Sequence, residues 1–184
     1  MYSLLSRRES TKFGDGHRRR SRIFEKHVEK ETYARRDLTI FVDADACPVK
    51  QEIFSLARQY NVESVFVSSY SHFSHDQPMQ WVYVDAEKEA VDLYIVNHAK
   101  AGDVVVTQDV GLASMLVHRN IYVVSPRGNV YTEEEMGHRL YVRYLHAKQR
   151  RQGVYAKGMK RFSAEERQTF RKSFEKILSK LAGK

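Results

Sequence analysis

Five apolar runs, four to seven residues long and with little polar alternation, recur along the middle of this chain. They are Leu38–Val42, Val62–Ser68, Trp81–Val84, Val104–Thr107 and Ile121–Val124. A strand with one wet face alternates apolar and polar residues, so runs that are apolar throughout belong in a sheet covered on both faces. Such sheets are parallel, and parallel neighbours need a long crossover, usually a helix. The intervening segments can supply those helices. Pro48 suits a first helical turn, and Ile53, Leu56, Ala57 and Tyr60 share one helical face behind it. Ala86–Lys100 reads as a second helix with Asp85 as its N-cap and Gly102 closing it, and Leu112–His118 lies in a third. The expectation is a three-layer α/β domain over about residues 38–125 with a mainly parallel central sheet.

Two further helices follow. Thr132-Glu133-Glu134-Glu135 has the form of a capping box, with Met136, Leu140, Tyr144 and Leu145 expected to face inward. Ser163-Ala164-Glu165-Glu166 is a second capping box, before a helix that would bury Phe170, Phe174, Ile177, Leu178 and Leu181. The stretch between them, Lys148–Arg161, is basic and carries Gly153 and Gly158, which marks a linker or clamp. The organisation read from the chain is therefore a basic extension over 1–36, disordered or loosely helical, an α/β domain over 37–147, and a basic linker with a C-terminal helix packed on that domain over 148–184.

Charge is unevenly spread. Residues 1–36 carry 11 Lys/Arg against 5 Asp/Glu, residues 37–141 carry 7 against 15, and residues 142–184 carry 13 against 3. An acidic core flanked by basic ends suits a protein that grips a polyanion at its periphery and holds cations at its centre. One cysteine excludes an internal disulfide framework or a Cys-rich zinc site. No apolar stretch approaches the roughly 18 residues of a membrane span, so a soluble, cytoplasmic protein without membrane partners is expected.

In an open parallel α/β sheet, ligands bind outside the carboxyl ends of the strands. Asp43 closes the first apolar run and Asp45 follows two residues later, while Asp109 follows the fourth run, two residues after Thr107. Asp92 lies among Val91, Leu93 and Ile95, where a carboxylate is costly without a partner or a cation. Gathered at one sheet edge, Asp43, Asp45, Asp92 and Asp109 would repel one another and favour a bound cation. Carboxylate and hydroxyl oxygens select Mg²⁺ or Mn²⁺ over zinc. Taken singly, Asp43 or Asp109 would more often be a turn residue or helix cap, and it is the convergence of all four acids that favours a site. Glu52 on the first helix and Asp103 at the base of the fourth strand are expected outside any such site.

The run Phe41-Val42-Asp43-Ala44-Asp45-Ala46-Cys47-Pro48-Val49 resembles the YaiI/YqxD family (UPF0178, also DUF188), a group of uncharacterised bacterial proteins. Ala90-Val91-Asp92, Gly102–Asp109 and Ser125-Pro126-Arg127-Gly128 carry the resemblance along most of the chain from about Leu38 to Leu181. Residues 1–36 have no counterpart in it, and Gly158–Phe162 stands where the family tends to have prolines. The family in turn is similar to PIN-like nucleases, whose acids sit after strand one, on a central helix and in a Thr-x-Asp turn. The resemblance implies a PIN-like fold and a Mg²⁺- or Mn²⁺-dependent phosphodiesterase acting on nucleic acid, RNA above all. Asp43, Asp92 and Thr107/Asp109 match those places in order, and with Asp45 they are the residues expected to be catalytic, the four acids as metal ligands. Lys50, Arg127, Lys157, Lys160 and Arg161 are the basic residues expected to hold nucleic-acid phosphates.

Two other readings stay open at this point. Asp43-Ala44-Asp45 after an apolar strand is similar to haloacid-dehalogenase phosphatases, in which the first Asp is a nucleophile and the second a general acid. Against it, Cys47 replaces the usual Thr or Val, and Gly102-Asp103 precedes the fourth strand. The second is a non-catalytic nucleic-acid-binding module with structural acids. Cys47 at a helix start could be an activated thiol, but no Arg stands at Ile53, so it reads as a small packing residue. His72 and His75 read as substrate-facing or surface residues.

Overall fold

The computed structural model describes residues 38–72, 79–87, 89–154 and 161–182. Residues 1–36, His75, Lys157 and Lys160 lie outside the described residues. Strand β1 (Thr39–Asp43) leads through helix α1 (Lys50–Tyr60) to β2 (Glu63–Ser69) and, after a single 3₁₀ turn, towards β3 (Gln80–Val84). Helix α2 (Ala90–His98), β4 (Val104–Val106), α3 (Val110–Leu116) and β5 (Tyr122–Val124) complete the sheet. Two long helices, α4 (Glu133–Arg151) and α5 (Ala164–Ala182), follow.

The five strands are all parallel, in the order β3-β2-β1-β4-β5. Because the pleat sends successive side chains to opposite faces, β1 feeds two cores at once. Ile40 and Val42 join Val104 and Val106 against α1 and α5, where Ile53, Leu56, Phe170, Phe174 and Leu178 are fully buried. Phe41 joins Val65, Val67 and Val105 on the other face, beneath Val91 and Ile95 of α2 and Leu112 and Leu116 of α3. The unbroken apolar runs of the sequence follow from this double cover. Among the described residues no helix is long and apolar enough to cross a membrane.

Four local expectations meet different outcomes. The Ser163 box forms both halves: the Ser163 amide donates to the Glu166 carboxylate at 2.8 Å, and the Glu166 amide donates to Ser163 Oγ at 3.1 Å. At Thr132 the side chain makes no capping bond: the Glu135 amide donates to the Thr132 carbonyl at 3.2 Å, and the Glu135 side chain turns outward to Arg139 one helical turn on. Leu140 and Tyr144 are exposed rather than inward, since α4 anchors in the core through Met136 and then runs clear of it. Helix α2 starts at Ala90, capped by Glu89 in a left-handed conformation (φ 69°), and not at Asp85. The crossover from the edge strand β3 to β4 is α2 itself, whose Val91 and Ile95 pack with Phe41 of β1 and Val65 and Val67 of β2.

Helix α5 closes one face of the sheet with two stacked phenylalanines, their centroids 5.1 Å apart. Phe174→Ala should therefore destabilise the protein by roughly 3–5 kcal/mol through loss of burial and a residual cavity. Ser163→Ala, which removes only the cap, should cost about 1 kcal/mol. Urea unfolding of both variants followed by circular dichroism checks the ranking.

Candidate active site

The sheet reverses direction of winding between β1 and β4: the chain goes from β1 outward to β2 and β3, then comes back to β4 and outward again to β5. Helices leave the two strands on opposite faces at that point and open a crevice above their carboxyl ends. Asp43, the last residue of β1, stands there. Register places Val42 beside Val106, so the next residues on each strand, Asp43 and Thr107, are neighbours. Thr107 Oγ1 donates to Asp43 Oδ2 at 2.8 Å and accepts the backbone N–H of Asp109 at 3.0 Å. The hydroxyl has one proton, and the Asp109 amide leaves it directed at Asp43.

Asp109 is the N-cap of α3, its Oδ1 accepting the backbone N–H groups of Gly111 and Leu112. The same oxygen accepts Arg143 Nη1 from α4 at 2.6 Å. Asp92 reaches the crevice from the first turn of α2. Asp43, Asp45, Asp92 and Asp109 line one cleft of about 390 Å³, with Glu87 and Glu89 on its rim and Arg143 at its edge. The sequence-predicted acids are thus brought to one place. Among the described residues, no three of His, Cys, Asp and Glu are gathered so as to hold a metal ion.

Electrostatics separates the acids into two kinds. Burial pushes the Asp43 carboxyl above its ordinary range; the Thr107 hydrogen bond opposes this and the Asp45 and Asp109 charges add to it. Asp92 is raised to about 6, by burial first and then by the charges of Asp109, Asp43 and Glu89, with Arg143 pulling the other way. Asp45 behaves differently. Burial works to raise it, but hydrogen bonds from Ser68 Oγ (2.6 Å), the Ser69 amide (3.0 Å) and Ser69 Oγ (3.0 Å) outweigh burial and hold it below the usual carboxylate range. A carboxyl so held does not keep a proton to donate, which counts against a general-acid role for Asp45.

The other expected residues fall elsewhere. Lys50 is the first residue of α1, and its Nζ donates to the Ala44 carbonyl at 3.0 Å. Arg127 pairs with Glu166, lies over the Phe162 ring at 5.7 Å and lines a separate cavity of about 350 Å³. Arg161 is exposed. Cys47 is buried, its thiol pushed up to about 12 by desolvation, so it is no nucleophile. His72 Nδ1 sits 3.1 Å from Ser69 Oγ and 3.5 Å from Asp45. Glu52 pairs with Arg167 of α5, and Asp103 accepts the amides of Lys100 and Thr39 at the far end of the sheet, so neither lines the cleft. Sequence reasoning missed Arg143, Ser68 and Ser69. Two hydroxyls closing an apolar strand were a readable signal. Arg143, 34 residues from Asp109, had none.

The raised Asp92 carboxyl has a stability consequence whose sign can be checked. Unfolded Asp92 titrates near 3.8, folded Asp92 at about 6, so the folded state binds the proton more tightly. The stability this contributes is complete below pH 4 and is lost as pH rises through 6. Asp92→Asn should therefore stabilise the chelator-treated protein at pH 8 by on the order of 1 kcal/mol, after allowance for solvent screening. The gain should fade towards pH 4, as read from thermal melts across that range.

The sequence profile of the group described as "Uncharacterized BCR, YaiI/YqxD family" matches residues 41–180, which include every carboxylate of the cleft. A UPF0178 protein of Bacillus cytotoxicus is 55% identical over 144 residues, covering 78% of this chain and 95% of the relative. A UPF0178 protein of Bacillus velezensis is 51% identical over 146 residues, 78% of this chain and 87% of its own length. One from Listeria welshimeri is 49% identical over 133 residues, covering 72% and 89% respectively. No solved structure matches. With the profile matching residues 41–180 and relatives about half identical along most of both chains, the chain belongs to the YaiI/YqxD (UPF0178) family.

Proposed function

We propose that this protein is a Mg²⁺- or Mn²⁺-dependent phosphodiesterase acting on nucleic acid, with RNA the class that the PIN-like resemblance implies. One observation carries the reading: Asp43, Asp92 and Asp109, from three separated segments, line a single cleft at the switch point of a parallel sheet, with Arg143 at its edge. The donor chemistry fits a hard divalent cation, because the candidate ligands are carboxylate oxygens whose mutual repulsion a dication would relieve. Because no three of these acids stand close enough to bind a cation together among the described residues, Asp43, Asp92 and Asp109 would hold it partly through bridging water. When bound, such a cation offsets the charge of carboxylates and phosphate and acidifies a water for attack at phosphorus.

The chain's own residues supply orientation. Thr107 locks Asp43 by donating to Oδ2, and the Asp109 amide in turn locks Thr107. Asp45, tied to Ser68 and Ser69, braces the turn after β1 against the end of β2. Arg143 offers guanidinium N–H groups to non-bridging phosphate oxygens beside Asp109. Lys157, Lys160 and Arg161 would add affinity that is indifferent to sequence.

The test is a metal-titrated cleavage assay on labelled RNA and DNA. Wild-type protein should cleave in Mg²⁺ or Mn²⁺. Asp43→Asn and Asp109→Asn should each lose roughly 10²–10³-fold in rate while still binding the oligonucleotide. Thr107→Ala should lose about 10–100-fold, as expected for a residue that orients a ligand. Protein that cleaves nothing in either metal, yet binds as well without Asp43, is a binding module and not an enzyme. A separate measurement addresses the linker. Replacing Lys157, Lys160 and Arg161 by Ala should lower the slope of log affinity against log salt by about 0.7 for each single-strand phosphate that is no longer neutralised.

A further inference from the structure

Helix α4 is 19 residues long, about 28 Å, and buries only Met136. Beside the start of α3 it walls a groove of about 830 Å³, larger than the acidic cleft. The α4 side of this groove opens on Glu134 and Glu135, the latter paired with Arg139, and continues through Arg143, His146 and Arg150. Positions 139, 143, 146 and 150 are spaced three or four apart, so they form one stripe along the helix. From Met136 to Ala164 the chain carries no Asp or Glu, which leaves the stripe increasingly cationic away from Glu135. Asp109 and Arg143 line both the groove and the cleft, so the two cavities meet at their ion pair. Leu140, Tyr141 and Tyr144 are exposed on other faces of α4 and do not line the groove.

We propose that the α4 groove is the track on which the phosphodiester backbone of a single-stranded nucleic acid lies as it enters the acidic cleft, a proposal that rests on nucleic acid being the substrate. Charge complementarity selects the occupant. Beyond the two glutamates of the first turn, the guanidinium and imidazole donors of Arg143, His146 and Arg150 suit a polyanion with regularly spaced phosphates. Continuity with the cleft sets the direction: a phosphate leaving the groove at Arg143 arrives beside Asp109. Strandedness follows from depth. Asp43 is half-buried at the strand end, and a stiff duplex cannot bend a single phosphate down to it, whereas a flexible strand can. Arg127 does not contribute, because it lines a different cavity and not the groove. The track therefore runs along α4 and away from the turn after β5.

Fluorescence anisotropy with a 20-nucleotide mixed-sequence RNA in EDTA, from 50 to 300 mM salt, tests this. Arg150→Ala should weaken binding several-fold and lower the salt slope by about 0.7, and Arg139→Ala/Arg150→Ala by about 1.4. Arg150→Lys should restore the slope, and Lys176→Ala on α5 should bind as wild type. Wild-type affinity retained in the double variant overturns the track while leaving the enzyme reading intact. Wild-type protein that binds RNA through Arg139 and Arg150 but cleaves nothing in Mg²⁺ or Mn²⁺ supports the track and refutes the nuclease. Absence of any RNA binding overturns both. Equal, Arg150-dependent binding of a duplex overturns the single-strand assignment. If the variants change the sedimenting mass from dimer to monomer, α4 is a self-interface and the proposal falls.

Discussion

The hydrogen bond from Thr107 to Asp43 is the point at which the two halves of the sheet are tied together at their carboxyl end. It exists because β1 and β4 pair in parallel, Ile40 beside Val104 and Val42 beside Val106. That pairing is held from both sides by apolar layers that share no residue. Slip β4 by one residue and Val104 and Val106 would exchange faces with Val105, while Thr107 would no longer stand beside Asp43. The register that fills two cores is therefore the same register that aligns a carboxylate with its hydroxyl. Packing and chemistry are not separable at this edge.

The carboxylates sit in an electrostatic conflict that the fold tolerates. Asp45 is fully satisfied by Ser68 and Ser69 and drops below its ordinary range. Asp43 and Asp92 are raised by burial and by their neighbours' charges. A structural role would be served better by partners such as those Asp45 has. Retaining mutually repelling acids at a switch point is the pattern expected where charge is needed for a ligand. Arg143 relieves part of the conflict through Asp109, and it does so from α4, an element that contributes little else to the core. A helix that buries one methionine and is otherwise held by surface contacts such as the Arg143–Asp109 pair can project a cationic face without disturbing the sheet.

Local signals along the chain were most dependable where one rule dominated. The five apolar runs became the five strands, and the Ser163 box formed as its spacing required. Asp43 and Asp109 were legible because strand ends in a parallel sheet are where ligands bind, and Asp92 because a carboxylate among Val91, Leu93 and Ile95 has no bland explanation in the sequence. The failures came where a tertiary partner overrode a local preference. Thr132 has the residues of a capping box, but Glu135 found Arg139 instead. Tyr144 and Leu140 have the spacing of a buried stripe, yet α4 has no layer beyond its first turn to bury them against.

What the sequence by itself determined is the alternation of strand and helix, the parallel sheet covered on both faces, and the acids at its carboxyl edge. Each follows from periodicity and from the cost of placing a charge among apolar residues. What only the tertiary structure decided is which basic residues attend those acids. Arg127 follows a strand end, as a phosphate-binding residue should, but Glu166 from α5 neutralises it. Arg143 lies in the middle of a polar helix and meets Asp109 across 34 residues of chain. Local sequence carries backbone preference and burial, whereas the pairing of charges depends on which helix the folded chain lays beside which strand end.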